Sequence, residues 1–271
     1  MDDRQLETFF TCDDQTLLAD TAWPVAHESL LRALEAGRVR AARRGDDGSW
    51  RAVTWVKHAI LTGFRRSALE RLDGGPWPFF DKPAFAPRTF ADDDRVRLVP
   101  GGSAVRRGAF VAAGVVVMPP AYVNVGAFVD SGTMIDSHAL VGSCAQIGRD
   151  VPLSAAAQIG GVLEPAHASP VVIEDGAFVG GLAGVFEGVV VRERAVLAAS
   201  VVLTAATQVH DLVHGRVLRG EIPAGAVVVP GTRPAPGPHA ERHGLQVATA
   251  LIVKYRDERT DAATALESAL R

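Results

Sequence analysis

Cysteine, aromatic residues and excess charge of either sign are all scarce in this chain of 271 residues. Its two cysteines, Cys12 and Cys144, lie far apart and lack metal-ligand spacing, so neither a disulfide framework nor a zinc site has support. With 28 Lys plus Arg against 31 Asp plus Glu, the net charge of -3 does not favour binding to nucleic acid or an anionic membrane.

Signals for export or membrane insertion are also missing from the sequence. Residues 1–10 are acidic and lack the basic start and apolar stretch of a signal peptide. The long uncharged run from Gly108 to Val129 contains Pro119, Pro120 and Asn124 and has the wrong periodicity for a membrane helix. We therefore predict a cytoplasmic protein with no membrane or nucleic-acid partner.

The first third of the chain has helical patterning. Residues His27 to Arg44 and Trp55 to Leu72 place apolar side chains at three- and four-residue spacings, and Asp46 to Gly48 form a turn signal between them. The segment from Gly74 to Arg95 is rich in Pro, Gly and Asp and is predicted to be a packed linker. Residues 1–95 are thus predicted to form a helical N-terminal domain.

From Val105 onward an aliphatic residue recurs every six positions, with one two-residue slip near Glu164 to Val171. The series is Val105, Val111, Val117, Val123, Val129, Ile135, Val141, Ile147, Leu153, Ile159, and then Ile173, Val179, Val185, Val191, Leu197, Leu203 and Val209. Four residues after each aliphatic stands a mostly small residue, such as Ala109 or Ala127.

This period excludes a helix, because six residues of α-helix turn through about 600° and would scatter the aliphatics over three directions. Short strands joined by tight corners instead predict a parallel β-solenoid of about six coils, with three six-residue sides in each coil. A loop is expected at the slip. We assign residues 96–231 to this solenoid and 232–271 to a C-terminal extension, with a strand at ATALIVKY and a helix from Asp261 to Arg271.

Three motifs carry a family likeness: GTMID at 132–136, VGSCAQIG at 141–148 and IGGVLEP at 159–165. With Arg97 and the IPAGAVVVPG segment, they resemble the tetrahydrodipicolinate N-succinyltransferase family, whose members are hexapeptide-repeat acyltransferases with a left-handed parallel β-helix. The resemblance implies a homotrimer with active sites between subunits, which transfers a succinyl group from succinyl-CoA to the amine of an amino dicarboxylate in lysine and diaminopimelate synthesis. No metal is expected.

The resemblance also implies roles for individual residues. Arg97 would hold a substrate carboxylate, and Asp136 would lie next to the accepting amine. His138 is a candidate catalytic base because histidine commonly serves as a general base, and Glu187 is a candidate catalytic residue because it is retained from a family motif. The small residues Gly160, Gly161, Ala198 and Ala199 are candidates for backbone contact with the coenzyme, the alternative being tight solenoid corners.

The chain departs from the family at one motif. Where the family has G-A-R-S-E-V-V-E-G-V, residues 180–189 here are GGLAGVFEGV, so Leu182, Ala183 and Gly184 replace Arg, Ser and Glu. This loss favours a diverged relative that acylates another amino-acid-like acceptor with acetyl- or succinyl-CoA. Whether His138 replaces the carboxylate missing at Gly184 is left open by the sequence.

Two interpretations from other classes remain. A zinc lyase on the same solenoid would need three histidines per metal, for which the chain offers His138, His167 and His210 at irregular spacing. A non-catalytic scaffold would bind acyl-CoA without acylating any acceptor. An acyltransferase is the leading hypothesis.

Overall fold

A computed structural model of the protein describes residues 1–73 and 78–257. Besides two short 3₁₀ helices, Pro83–Phe85 and Asp92–Asp94, the described N-terminal part contains four α-helices and two short antiparallel hairpins. These elements are α1 (Asp3–Phe10), α2 (Asp14–Ala19), α3 (Trp23–Glu35), β1 (Ala42–Arg44), β2 (Trp50–Ala52), α4 (Thr54–Arg66), β3 (Glu70–Leu72) and β4 (Phe79–Asp81).

Both predicted helices are present, but each is shorter than the apolar periodicity indicated. The first ends at Glu35, because Gly37 adopts a left-handed conformation (φ 70°) and turns the chain toward β1. The second ends at Arg66, and Glu70–Leu72 pairs with Phe79–Asp81 instead of continuing the helix. The turn at residues 46–48 is confirmed as the tip of the β1–β2 hairpin.

Apolar faces of α1, α3 and α4 pack into one N-terminal core, which includes Leu6, Leu30 and Ile60. His27 is inside this core, 3 % exposed, stacked on Trp23 at 4.4 Å between ring centroids. Burial lowers the pKa of His27 to about 4 from its ordinary 6.5. The folded protein therefore keeps this imidazole neutral under conditions in which the unfolded chain protonates it.

We expect acidification to weaken the fold through His27. Between pH 8 and pH 5, His27 binds a proton in the unfolded chain but stays neutral in the folded protein. This difference in proton binding lowers the free energy of unfolding by about 2 kcal/mol. Urea unfolding of the wild type and of His27→Phe, which keeps an aromatic ring but cannot titrate, measures the effect. An identical pH dependence in the two proteins would contradict the assignment.

The remaining chain is a stack of very short strands joined by corners. The strands are β5 (Arg97–Leu98), β6 (Ala104–Val105), β7 (Phe110–Val111), β8 (Val116–Val117), β9 (Tyr122–Val123), β10 (Phe128–Val129), β11 (Met134–Ile135), β12 (Leu140–Val141), β13 (Gln146–Ile147), β14 (Pro152–Leu153), β15 (Gln158–Ile159), β16 (Val172–Ile173), β17 (Phe178–Val179), β18 (Gly184–Val185), β19 (Val190–Val191), β20 (Val196–Leu197), β21 (Val202–Leu203), β22 (Val209–Asp211), β23 (Arg216–Leu218), β24 (Glu221–Ile222), β25 (Ala226–Pro234) and β26 (Gln246–Tyr255). A six-residue helix, α5 (Pro238–His243), lies between the last two strands.

Among β5 to β21, each strand pairs in parallel with the strand that comes three positions later along the chain, and this pairing produces three faces. Face 1 contains β5, β8, β11, β14, β17, β20 and β25; face 2 contains β6, β9, β12, β15, β18 and β21; face 3 contains β7, β10, β13, β16, β19 and β24. Six strands in each of faces 2 and 3 confirm the predicted six coils. The parallel β-solenoid predicted from the hexads, in the form of the left-handed β-helix that the resemblance implies, is the fold of this part of the chain.

The aliphatic series fills the interior of the β-helix as predicted. Val123, Ile135 and Val185 are each 0 % exposed, and the small residue that follows four positions later, such as Ala127 or Ala139, is equally enclosed. Corners repeatedly use left-handed backbone, even at residues other than glycine. The six-residue repeat therefore fixes both the packing inside and the outward direction of the residues between.

Two corners carry the candidate site residues. We call the turn from face 1 to face 2 the Asp136 corner; it comprises residues 136–139, 154–157, 180–183 and 198–201. The turn from face 2 to face 3 is the Glu187 corner, which comprises residues 142–145, 160–171 and 186–189. The loop expected at the slip is confirmed as part of the Glu187 corner.

The C-terminal end of the β-helix is closed by strands outside the hexad pattern. β25 runs through position 231 and forms a long antiparallel pair with β26, and β22–β23 is a hairpin beside them. Buried Asp211 joins these strands by accepting hydrogen bonds from His214, Arg216 and Tyr255. Burial acts to raise the pKa of Asp211, but these hydrogen bonds outweigh it and hold the pKa well below its usual range. The helix predicted from Asp261 lies outside the described residues.

Candidate functional site

Asp136 directly follows β11 and begins its corner. Its Oδ1 accepts a hydrogen bond from the backbone N–H of Ser137 at 2.8 Å, the local turn contact typical of Asp at corners. The side chain is half-buried, and within residues 1–73 and 78–257 no hydrogen bond or ion pair engages its Oδ2. One oxygen thus fixes the turn while the other can accept from a bound amine.

His138 lies two residues further along the same corner and is exposed. Its backbone is left-handed (φ 64°), its N–H donates to the carbonyl of Pro120 at 2.5 Å, and its carbonyl accepts from the Gln158 side chain at 3.1 Å. The corner therefore holds its backbone from both sides and presents the imidazole to solvent. No hydrogen bond joins His138 to Asp136 in the described part of the chain.

Arg97 lies on β5, at the start of face 1, and is exposed. It pairs with Val116, which in turn pairs with Met134, so Arg97 is two strands away from the strand that leads into Asp136. At the usual strand spacing this is roughly 10 Å along the axis. A guanidinium and a carboxylate at that separation can engage opposite ends of a short dicarboxylic amino acid.

Glu187 belongs to the other corner. It is exposed with a left-handed backbone (φ 54°), and its Oε2 accepts from the backbone N–H of Ala205 at 3.2 Å. Face 2 separates it from Asp136 within one chain. The structure therefore places Asp136 and His138 on one corner, Arg97 on face 1 two coils earlier, and Glu187 on the neighbouring corner.

The four small candidate residues are divided in the same way. Gly160 and Gly161 are on the Glu187 corner, whereas Ala198 and Ala199 are on the Asp136 corner. A Cβ on Gly161 would stand 2.6 Å from the backbone nitrogen of Ser143, so close stacking between coils already requires glycine there. Gly160 is buried and Gly161 is exposed, which leaves Gly161 as the more accessible of the two backbones.

Phe186 is a site residue that sequence analysis did not identify. A Cβ on Gly184 would lie 2.5 Å from its Cε2, and a Cβ on Gly160 would lie 2.7 Å from its Cδ1, so the ring covers both glycines. The space of a side chain at position 184 is thus filled by an aromatic ring. The co-occurrence of Gly184 and Phe186 in one altered motif was the signal that could have revealed this exchange.

The rest of the altered motif is apolar. Leu182 is 67 % exposed in a left-handed conformation (φ 60°) on the Asp136 corner, two coils beyond His138, and Ala183 is fully buried. Residues 180–186 contain no charged side chain. The surface between the two corners at this level is therefore hydrophobic rather than ionic.

Cys144 is a buried wall residue and contacts the N-terminal core. Burial raises the pKa of its thiol to about 12, which does not suit a nucleophile. Within residues 1–73 and 78–257, His138, His167 and His210 form no metal-binding group, and neither do any other three His, Cys, Asp or Glu side chains. In that part of the chain, none of the helices is long and apolar enough to cross a membrane.

Two family models match the chain. Residues 5–65 match the N-terminal region of tetrahydrodipicolinate N-succinyltransferase, and residues 170–205 match the hexapeptide repeat of succinyl-transferase. The first match spans α1 to α4 apart from a few terminal residues, and the second covers the altered motif, including Glu187. Helical and repeat regions are therefore both similar to the same kind of protein.

Curated relatives named 2,3,4,5-tetrahydropyridine-2,6-dicarboxylate N-succinyltransferase match along most of the chain. The protein of Bradyrhizobium diazoefficiens is 45 % identical over 255 residues, covering 91 % of this chain and 89 % of its own. That of Maricaulis maris is 47 % identical over 256 residues with the same coverage, and that of Nitrobacter hamburgensis is 43 % identical over 268 residues, covering 95 % and 94 %. This chain belongs to the tetrahydrodipicolinate N-succinyltransferase family.

Proposed function

We propose that the protein is a CoA-dependent N-acyltransferase that transfers the succinyl group of succinyl-CoA to tetrahydrodipicolinate, as a step toward diaminopimelate and lysine. The observation that carries this proposal is the extent of the likeness: about 45 % identity over nine-tenths of the chain to relatives named for this activity. We further propose that it works in the cytoplasm without a metal.

In this proposal Arg97 binds one carboxylate of the acceptor. The opened acceptor extends along face 1, and its amine reaches the free Oδ2 of Asp136. The amine attacks the thioester carbonyl, the C–N bond forms, the C–S bond breaks and CoA leaves as its thiolate. Asp136 takes the proton released by the amine, a step that contributes typically 10²- to 10⁴-fold to the rate.

The two-corner arrangement supports a homotrimer with sites between subunits. Asp136 and His138 share one corner, with Arg97 on the adjoining face 1, whereas Gly160, Gly161 and Glu187 occupy another corner. A cyclic trimer joins two different surfaces at each interface, so the Asp136 corner of one subunit can face the Glu187 corner of the next. In that arrangement the coenzyme arm passes Gly161 of one subunit and Ala198 and Ala199 of the other, and Glu187 closes the site.

A second candidate function rests on the altered motif. Phe186 fills the space above Gly184, and Leu182 is exposed, so the wall at this level is apolar. Such a wall favours a diverged enzyme that acylates another amino-acid-like acceptor, with acetyl- or succinyl-CoA. His138, exposed beside Asp136, is then the available base in place of a carboxylate.

CoA release by the purified protein tests both candidates. Succinyl- and acetyl-CoA are crossed with tetrahydrodipicolinate and a panel of α-amino acids. Selective turnover of succinyl-CoA with tetrahydrodipicolinate supports the first proposal. Turnover confined to another pair overturns it in favour of the second, and binding of acyl-CoA without turnover on any acceptor would identify a scaffold.

A further inference from the structure

Lys57 is the buried group whose position the proposed chemistry does not explain. It lies on α4 in the N-terminal domain and is 0 % exposed. Burial lowers the pKa of its amine, and no ion pair involves it within residues 1–73 and 78–257. A cation kept away from water requires strong compensating contacts.

Those contacts are carbonyl oxygens of the loop that interrupts the β-helix. The Nζ of Lys57 donates to the carbonyl of Ala168 at 2.6 Å and to that of Pro165 at 3.2 Å. The two acceptors are three residues apart, so one amine fixes the bend of the loop. The lysine thus connects α4 to a segment more than 100 residues away in sequence.

The same loop is part of the Glu187 corner and packs against the other two turns of that corner, one at each end. It starts at Gly161, whose neighbour Val162 donates its N–H to the carbonyl of Ser143 at 3.2 Å. Near its other end the carbonyl oxygen of Ser169 stands 2.6 Å from where a Cβ on Gly188 would be. The loop therefore lines this corner, with its start against Ser143 and its end against Gly188, the residue after Glu187.

We propose that Lys57 is a positioning residue, which holds the loop of residues 161–171 in the shape that binds the acyl-CoA arm along the Glu187 corner. This inference rests on the proposed function for the identity of the ligand. The claim that a lysine of the N-terminal domain fixes the loop does not depend on the proposed function.

The test replaces Lys57 by Met, which keeps the length of the side chain and removes the donor. We expect amide hydrogen exchange in residues 161–169 to accelerate at least 10-fold, and the KM for succinyl-CoA to rise at least 10-fold with less than a threefold change in kcat. Lys82→Met is the matched control, since Lys82 also donates to a backbone carbonyl, that of Ser67 at 2.6 Å, away from the loop. Lys57→Leu, which also removes the donor, serves if the Met variant does not fold.

Unchanged exchange in the loop of a folded Lys57 variant overturns the proposal, and so does a lower kcat at constant KM. Equal loop acceleration in Lys82→Met also overturns it, because the effect would then be general. If the wild type fails to turn over succinyl-CoA at all, the proposed function fails, and the hydrogen-exchange result still decides whether Lys57 fixes the loop.

Discussion

Replacing Asp136 by Asn is expected to lower kcat by about 10²-fold or more while leaving the fold intact. The amide oxygen can still accept the hydrogen bond that Oδ1 receives from Ser137, so the corner keeps its shape. The amide cannot take a proton from the attacking amine, and general-base catalysis is typically worth 10²- to 10⁴-fold. Steady-state kinetics with saturating succinyl-CoA and tetrahydrodipicolinate measures the effect.

The chain supplies a close control for this variant. Asp130 occupies the same position in the preceding hexad, and its Oδ1 accepts from the backbone N–H of Ser131, also at 2.8 Å. It lies on the turn from face 3 to face 1, away from both candidate corners. Asp130→Asn should keep its kcat; normal turnover in a folded Asp136→Asn protein would remove Asp136 from the mechanism.

Replacing Gly184 by Glu is expected to lower the free energy of unfolding by about 3 kcal/mol, or roughly 6 to 12 °C in Tm. The new Cβ meets the Phe186 ring at 2.5 Å, so the ring must leave its place over Gly160 and Gly184 and expose its apolar surface. Adding Phe186→Val should recover most of the loss, because the smaller side chain clears the space. Thermal unfolding of the single and double variants measures this coupling.

Val202→Glu separates the clash from the effect of a new charge. Val202 is 53 % exposed and pairs with Gly184 on face 2, but its side chain is already accommodated there. We expect this variant to unfold within about 1 kcal/mol of the wild type. Two results would contradict the claim that the Phe186 ring occupies the space a side chain at position 184 would need. One is a Val202→Glu protein destabilised as much as Gly184→Glu, and the other is a double variant no more stable than Gly184→Glu.

The β-helix could be predicted from the sequence because its signal is strictly local and repeated. Each coil buries one aliphatic and one small residue per side, so Val123, Ile135 and Val185 report the interior independently of any distant contact. The N-terminal helices carried a weaker signal, since apolar spacing continued past their true ends. Gly37 and the β3–β4 pairing end these helices, and the spacing of apolar residues does not reveal either of them.

The sequence by itself determined which residues face outward at the corners and which family the chain resembles, because hexad register and short motifs are properties of neighbouring residues. Only the tertiary structure decided that Phe186 fills the space above Gly184, that Lys57 holds the loop of residues 161–171, and that Asp136 and Glu187 lie on different edges. Each of these facts depends on how side chains, coils and domains pack in space, and the number of residues that separate two groups along the chain does not specify it.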